Sequence, residues 1–226
     1  MCGRFSITLP NDAMAQLFSA VPANDLPSVP NYNVCPTDAV HSVTISGGQR
    51  RLGAMRWGFI PSWYKKTNDG PLLINARGET IAEKPAFRAA CRERRAVMIA
   101  SGFYEWTRQG ETRLPWYITR TDGAPLAFAA IWQDWSAPGA AADTMRTAAI
   151  VTTGANAEMS EIHHRMPVIL EPDDIGLWLG EKGKGAATLM RAAPKDVLHW
   201  HRVDASVNSN RAAGPNLIAP IGTSDP

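Results

Sequence analysis

Trp116-Tyr117-Ile118-Thr119-Arg120-Thr121-Asp122-Gly123-Ala124-Pro125-Leu126-Ala127-Phe128-Ala129-Ala130-Ile131-Trp132 reads as two strand-like runs divided by a turn. Residues 116–120 and 126–132 carry aromatic and β-branched side chains suited to a pleated surface, and Asp-Gly-Ala-Pro breaks the chain between them. Similar short runs occupy residues 4–8, 40–45, 51–57, 96–100, 147–152 and 198–203, and Gly47-Gly48 predicts a tight hairpin. Helical patterns are fewer: 12–20 behind an Asn11 cap, 85–92 with Pro85 at an early position, 172–179 and 185–192. Segments 21–31 and 136–143, rich in proline or small residues, read as surface loops. No repeat period or low-complexity linker divides the chain. These features predict one α+β domain over residues 1–226, with a mixed or antiparallel barrel-like sheet, peripheral helices and a loosely held tail over 212–226.

Hydrophobic residues make up 45% of the 226 and charged residues 19%, the balance of a chain that can bury a sizeable core. No apolar run approaches the roughly 20 residues of a membrane helix. The start has no charged segment leading into an apolar one, so cytoplasmic location without membrane attachment is expected. Three cysteines, Cys2, Cys35 and Cys91, are odd in number and widely spaced, which suits a reducing compartment and suggests neither a disulfide framework nor a C-x-x-C zinc site. A net charge of +2 does not advertise bulk nucleic-acid binding. Arginines do cluster locally, at Arg88, Arg92, Arg94 and Arg95, and eight tryptophans are available for the core or for stacking on bases.

Met1-Cys2-Gly3-Arg4 would make a cysteine the free N-terminus once the initiator methionine is removed. Such a residue pairs an α-amine titrating near ~8 with a thiol near ~8.5 on adjacent carbons. An aldehyde meeting it condenses to an imine, which the sulfur closes to a five-membered thiazolidine. The competing reading makes Cys2 an ordinary small apolar residue at the start of a strand.

Four other segments place polar residues among apolar ones. In Ile74-Asn75-Ala76-Arg77, residues two apart share a face of an extended strand, so Asn75 and Arg77 project together, an amide beside a fork suited to phosphate. Gly102-Phe103-Tyr104-Glu105-Trp106 sets one carboxylate among three aromatics, a setting for proton transfer. Ile162-His163-His164-Arg165-Met166-Pro167 puts titrating imidazoles beside a guanidinium. Trp57-Gly58-Phe59-Ile60-Pro61-Ser62-Trp63-Tyr64 is either a packed loop or a surface on which a base stacks. Each has a structural alternative: Asn75 capping a turn, Glu105 pairing with an arginine, His163 held as a core histidine. His163, His164, His199 and His201 are the candidates for a metal, but no cysteine or carboxylate stands at a ligand-like spacing from them, so neither metal nor cofactor is expected.

Taken with Tyr32-Asn33-Val34-Cys35-Pro36 and Lys84-Pro85-Ala86-Phe87-Arg88, these segments make nearly the whole chain resemble the SRAP family, the SOS response-associated peptidase-like proteins that shield abasic sites in single-stranded DNA. Two positions depart from the family pattern: Cys35 stands where a small alanine is usual, and His164 where an aspartate is usual. The resemblance implies a monomer that crosslinks abasic sites through a Cys2 thiazolidine, reverses the link itself and removes its own Met1. It implies that Cys2, Asn75, Glu105 and His163 are catalytic. Gly3, Arg4, Pro36, Trp63, Arg77 and Trp106 would then contact DNA, the arginines on phosphates and the rings beside bases. It also implies association with the nucleoid when DNA is bound. The rival reading is an N-terminal-nucleophile cysteine hydrolase, amidotransferase or peptidase, with Cys2 attacking an amide.

Overall fold

Strand-forming segments occupy most of the chain in the structure, a computed structural model that describes residues 2–140 and 143–222. In chain order the strands are β1 (Phe5–Ile7), β2 (Val21–Pro22), β3 (Asn31–Val34), β4 (Ala39–Ser46), β5 (Gln49–Trp57), β6 (Asn75–Arg77) and β7 (Arg95–Ala100). They continue as β8 (Gly102–Gln109), β9 (Thr112–Arg120), β10 (Leu126–Trp135), β11 (Met145–Gly154), β12 (Arg165–Pro167) and β13 (Leu198–Arg202). Helices α1 (Asn11–Leu17), α2 (Arg88–Glu93) and α3 (Ile175–Leu179) are short. The expected mixed sheet with peripheral helices is present, in a form dominated by strands.

The larger sheet runs β12-β11-β10-β7-β4-β5-β2, with β6 paired to β11. It also curls: β11 pairs with β5, Thr147 opposite Arg56 and Ala148 opposite Trp57, so β5, β4, β7, β10 and β11 join in a ring. A ring of five strands cannot alternate direction throughout, and β11–β5 is accordingly its parallel pair. Alanines at 96, 100, 127, 129, 130, 148 and 149 are all buried in these strands, small enough to let them close together. The second sheet, β13-β9-β8-β1-β3, is antiparallel.

Phe128 on β10 joins the two sheets. Its ring lies 6.2 Å from Phe5 and 5.9 Å from Phe103, edge-on to both and without solvent exposure. Phe128→Ala is therefore expected to cost about 3–5 kcal/mol, measured as a lower urea midpoint. A loss below about 1 kcal/mol would show that the sheets collapse over the gap.

Gly47 and Gly48, both at positive φ, turn β4 into β5 with Ser46 opposite Gln49, as expected of that pair. The turn at 121–125 instead carries the chain from one sheet to the other, since β9 and β10 pair with different neighbours. Pro10 occupies the cap position of α1, and the expected cap Asn11 lies inside the helix, its Oδ1 2.9 Å from Nε2 of buried His41. Segment 172–179 divides into a 3₁₀ turn, Pro172–Asp174, and α3, while 185–192 holds only a 3₁₀ turn, Ala186–Leu189, behind Gly183 and Gly185 at positive φ. Of the expected loops, 21–31 contains the two-residue strand β2, and residues 141–142 of the other lie outside the described residues.

The segment expected as a loose tail is fastened as far as Ile221. Leu217 packs with Tyr104, Tyr117, Val203 and Val207 on the outer face of the five-stranded sheet. The Ile221 amide donates to the Arg202 carbonyl at 3.0 Å, and the Ile218 carbonyl lies 2.9 Å from His201 Nε2. Residues 223–226 lie outside the described residues. No helix among the described residues is long and apolar enough to cross a membrane.

Candidate active site

Strand β8 pairs with β1 at Phe103 and Gly102, and the Tyr104 amide still reaches the Arg4 carbonyl at 2.9 Å; β8 then runs on past the start of β1. Alternation along β8 sends Phe103 and Glu105 toward the space between the sheets and Tyr104 and Trp106 toward the outer cluster. Glu105, 3% exposed, thus sits at the open end of the main core beside Cys2, which has no exposed surface. Met1 lies outside the described residues.

From the facing sheet, β6 lies against β11 with Asn75 opposite Ile150. Ala76 is buried, leaving Asn75 and Arg77 on the other face as the two-residue spacing predicts, Arg77 exposed. Asn75 Nδ2 donates to the Cys2 carbonyl at 2.9 Å, so this side chain grips the chain start and caps no turn. His163 completes the group: with Gly3, Arg4, Glu105 and Trp106 it lines a cleft of about 350 Å³.

The electrostatics of the cleft are coupled. Burial pushes the Cys2 thiol well above the ordinary cysteine value, and the charge of Glu105 adds to the rise. Burial pulls His163 below the ordinary histidine value, with Glu105 acting in the opposite sense. The backbone of Arg165 holds the ring at Nδ1, its N–H at 3.0 Å and its carbonyl oxygen at 3.2 Å. His163 also stacks on His164, centroids 4.4 Å apart.

A clamp fixes that geometry. Arg165 Nη1 and Nη2 donate to the two oxygens of Glu79 at 2.7 and 2.9 Å, and Nη2 reaches the Thr152 carbonyl at 2.8 Å. The Arg165 hydrogen bonds hold the Glu79 carboxyl down at about 2. Sequence reasoning assigned Glu79 and Arg165 no role, and no local spacing links residues 86 positions apart.

The residues expected on DNA are distributed unevenly. The Arg4 guanidinium donates to Asn33 Oδ1 at 2.6 Å, to the Val207 carbonyl at 3.1 Å and to Asn210 Oδ1, tying the chain start to the C-terminal segment. Buried and so engaged, it borders the cleft with its Nε N–H unpartnered among the described residues. Trp106 Nε1 donates to Asn208 Oδ1 at 2.6 Å, and guanidiniums of Arg113 and Arg4 lie 5.0 and 5.9 Å from its ring. Pro36 is half-buried beside Cys35, whose thiol burial raises. Trp63 is 57% exposed and lines a different hollow, with Pro85, Gln133 and Asp134.

The histidines weighed as metal ligands are dispersed. His199 contacts Thr119 Oγ1, and His201 packs on Tyr117, centroids 5.7 Å apart. Among the described residues no group of three or more His, Cys, Asp or Glu side chains could hold a metal ion.

The family model described as SOS response associated peptidase (SRAP) matches residues 1–210. The chain belongs to the SRAP family. The abasic site processing protein YoqW of Bacillus subtilis is 34% identical over 225 residues, covering 96% of this chain and 99% of YoqW. The abasic site processing protein YedK of Escherichia coli is 31% identical over 229 residues, covering 98% and 100%. The abasic site processing protein HMCES of Pongo abelii is 30% identical over 271 residues, covering 98% of this chain and 76% of its own. A solved structure from Bacteroides thetaiotaomicron shares the SRAP fold seen here, with a TM-score of 0.85 over 97% of this chain and 100% of its own at 22% identity.

Proposed function

We propose that this SRAP protein captures abasic sites in single-stranded DNA as a covalent thiazolidine on Cys2, shielding the lesion. The observation that carries the reading is the convergence of Asn75, Glu105 and His163, from three separate segments, on the chain start, with Asn75 on the Cys2 carbonyl at 2.9 Å. An abasic sugar is an aldehyde in equilibrium with a closed ring, and this set supplies what its capture needs.

His163 delivers a proton to the ring oxygen and favours the open aldehyde. With Met1 gone, the Cys2 amine adds to C1′, and the carbinolamine loses water to give the imine. The Cys2 S–H then adds across the C=N bond: sulfur bonds to C1′ and the proton ends on nitrogen. Because burial and Glu105 hold the thiol protonated, Glu105 takes that proton and passes it on. Asn75 holds the Cys2 carbonyl and so the angle of the amine. Reversal runs the same steps backwards.

A thiol that burial holds protonated supports an order in which the amine attacks first and the sulfur closes the ring afterwards; a cysteine hydrolase would instead use the Cys2 sulfur as its first nucleophile. The peptidase in the family's description fits a single act on the protein's own Met1, the step that would free the amine. The test is a denaturing gel: protein incubated with a single-stranded oligonucleotide bearing one abasic site should give a species that survives boiling in detergent. Its absence would overturn the reading, and ammonia release from glutamine dependent on Cys2 would favour the hydrolase.

His163 gives a pH signature. Its protonated form grows as pH falls, and its value lies below the usual ~6.5, whereas the free amine grows as pH rises through ~7.7–8.0. With both forms required, the crosslinking rate is level between the two values and falls on either side. His163→Gln should leave the amine alone in control, so that the rate climbs about tenfold per pH unit up to the amine value. A level profile in that variant would show that another group is the acid.

A further inference from the structure

Two arginines on the rim of the cleft oppose each other directly. Strands β8 and β9 form a hairpin with Gln109 opposite Thr112, and one step back Arg108 stands opposite Arg113. Such a pair has its Cβ atoms about 5 Å apart on one face of the sheet, where like charges destabilise. Both residues are exposed, and among the described residues neither guanidinium has a carboxylate within 4 Å. On the β10–β11 hairpin, by contrast, exposed Arg146 is paired with Asp134 at 3.1 Å. The repulsion between Arg108 and Arg113 is uncompensated, and the pair lines the same cleft as Gly3, Glu105 and His163.

The same face carries Trp106, two residues before Arg108, with the Arg113 guanidinium 5.0 Å from its ring and Asn208 holding its indole N–H. Arg4, by contrast, is buried, with Nη1 and Nη2 held by Asn33, Val207 and Asn210. We propose that Arg108 and Arg113 form a phosphodiester grip, a paired guanidinium site that holds the backbone of the single strand beside the reacting sugar. This rests on the proposed function and extends it: the hairpin, and not Arg4, supplies the main phosphate contact on this side of the site. Two planar forks suit phosphate oxygens, and a phosphodiester between them relieves the repulsion that the free protein bears. A grip on backbone alone is indifferent to sequence, as a lesion without a base requires.

The experiment measures noncovalent binding of an intact single-stranded oligonucleotide, without a lesion, by fluorescence anisotropy at salt concentrations from about 50 to 200 mM. Each phosphate neutralised on a single strand contributes about −0.7 to the slope of log affinity on log salt, so Arg108→Gln/Arg113→Gln, which removes the grip on one phosphodiester, should flatten the slope by about 0.7. Arg108→Lys/Arg113→Lys, which keeps both charges, should retain the parent slope. The glutamine variant should also have a urea midpoint no lower than the parent's, because its opposed charges are gone. An unchanged slope in the glutamine variant overturns the grip, and a lowered midpoint overturns the premise that the pair repels. Parent protein is run beside them on an abasic oligonucleotide. If it fails to crosslink, the proposed function falls; if it crosslinks while the slope is unchanged, only the grip falls.

Discussion

Cys2→Ala is expected to yield no boiling-resistant species with an abasic oligonucleotide, whereas the parent protein is expected to give one. The side chain removed is small and sits in a core that alanine also suits, so the variant folds. Alanine is small enough for the initiator methionine still to be trimmed, and the terminal amine survives. That amine forms the imine, which has no sulfur to close it and hydrolyses on heating. Adding borohydride to the Cys2→Ala mixture before boiling should therefore restore a covalent species, because reduction traps the open imine. A Cys2→Ala protein that crosslinks as stably as the parent without borohydride would remove the thiol from the mechanism.

Glu105→Gln keeps the volume and hydrogen-bonding reach of the side chain and removes its capacity to exchange a proton. In the proposed capture two steps depend on that capacity: taking the proton from a thiol that burial keeps protonated, and returning it to nitrogen as the ring closes. Loss of a positioned acid-base group costs roughly 100- to 10,000-fold. Since the same proton must move when the link opens, formation and reversal should slow together. A quenched time course measures the first, and transfer of the protein from a crosslinked oligonucleotide to fresh abasic competitor measures the second. Unchanged rates in both directions would exclude Glu105 from proton transfer.

The strands were legible in the sequence because residue alternation is local. Residues 126–132 read as a strand from their own composition, and Gly47-Gly48 declared its hairpin. Ring closure was not legible, because pairing of Thr147 with Arg56 joins segments some 90 positions apart in a register no local pattern records. Helix ends failed for a similar reason: Asn11 has the chemistry of a cap, but His41, thirty positions away, offers its side chain another partner. At the site, Cys2 stood out as the residue behind the initiator methionine, and Asn75, Glu105 and His163 one by one as polar groups in apolar surroundings. Their supports did not, since Glu79 on Arg165 and Asn33 on Arg4 are long-range contacts. The opposed arginines did leave a trace: counted outward from Gly110-Glu111, Arg108 and Arg113 are equidistant, as a two-residue hairpin turn requires.

In the proposed capture, amine and thiol of one terminal cysteine act together on one aldehyde. The most direct test is the intact mass of the adduct between protein and abasic oligonucleotide, measured with and without borohydride treatment. A thiazolidine predicts the mass of the Met1-free protein plus the oligonucleotide less one water, unchanged by borohydride. An adduct that retains Met1, or one that gains two hydrogens on reduction, would contradict it.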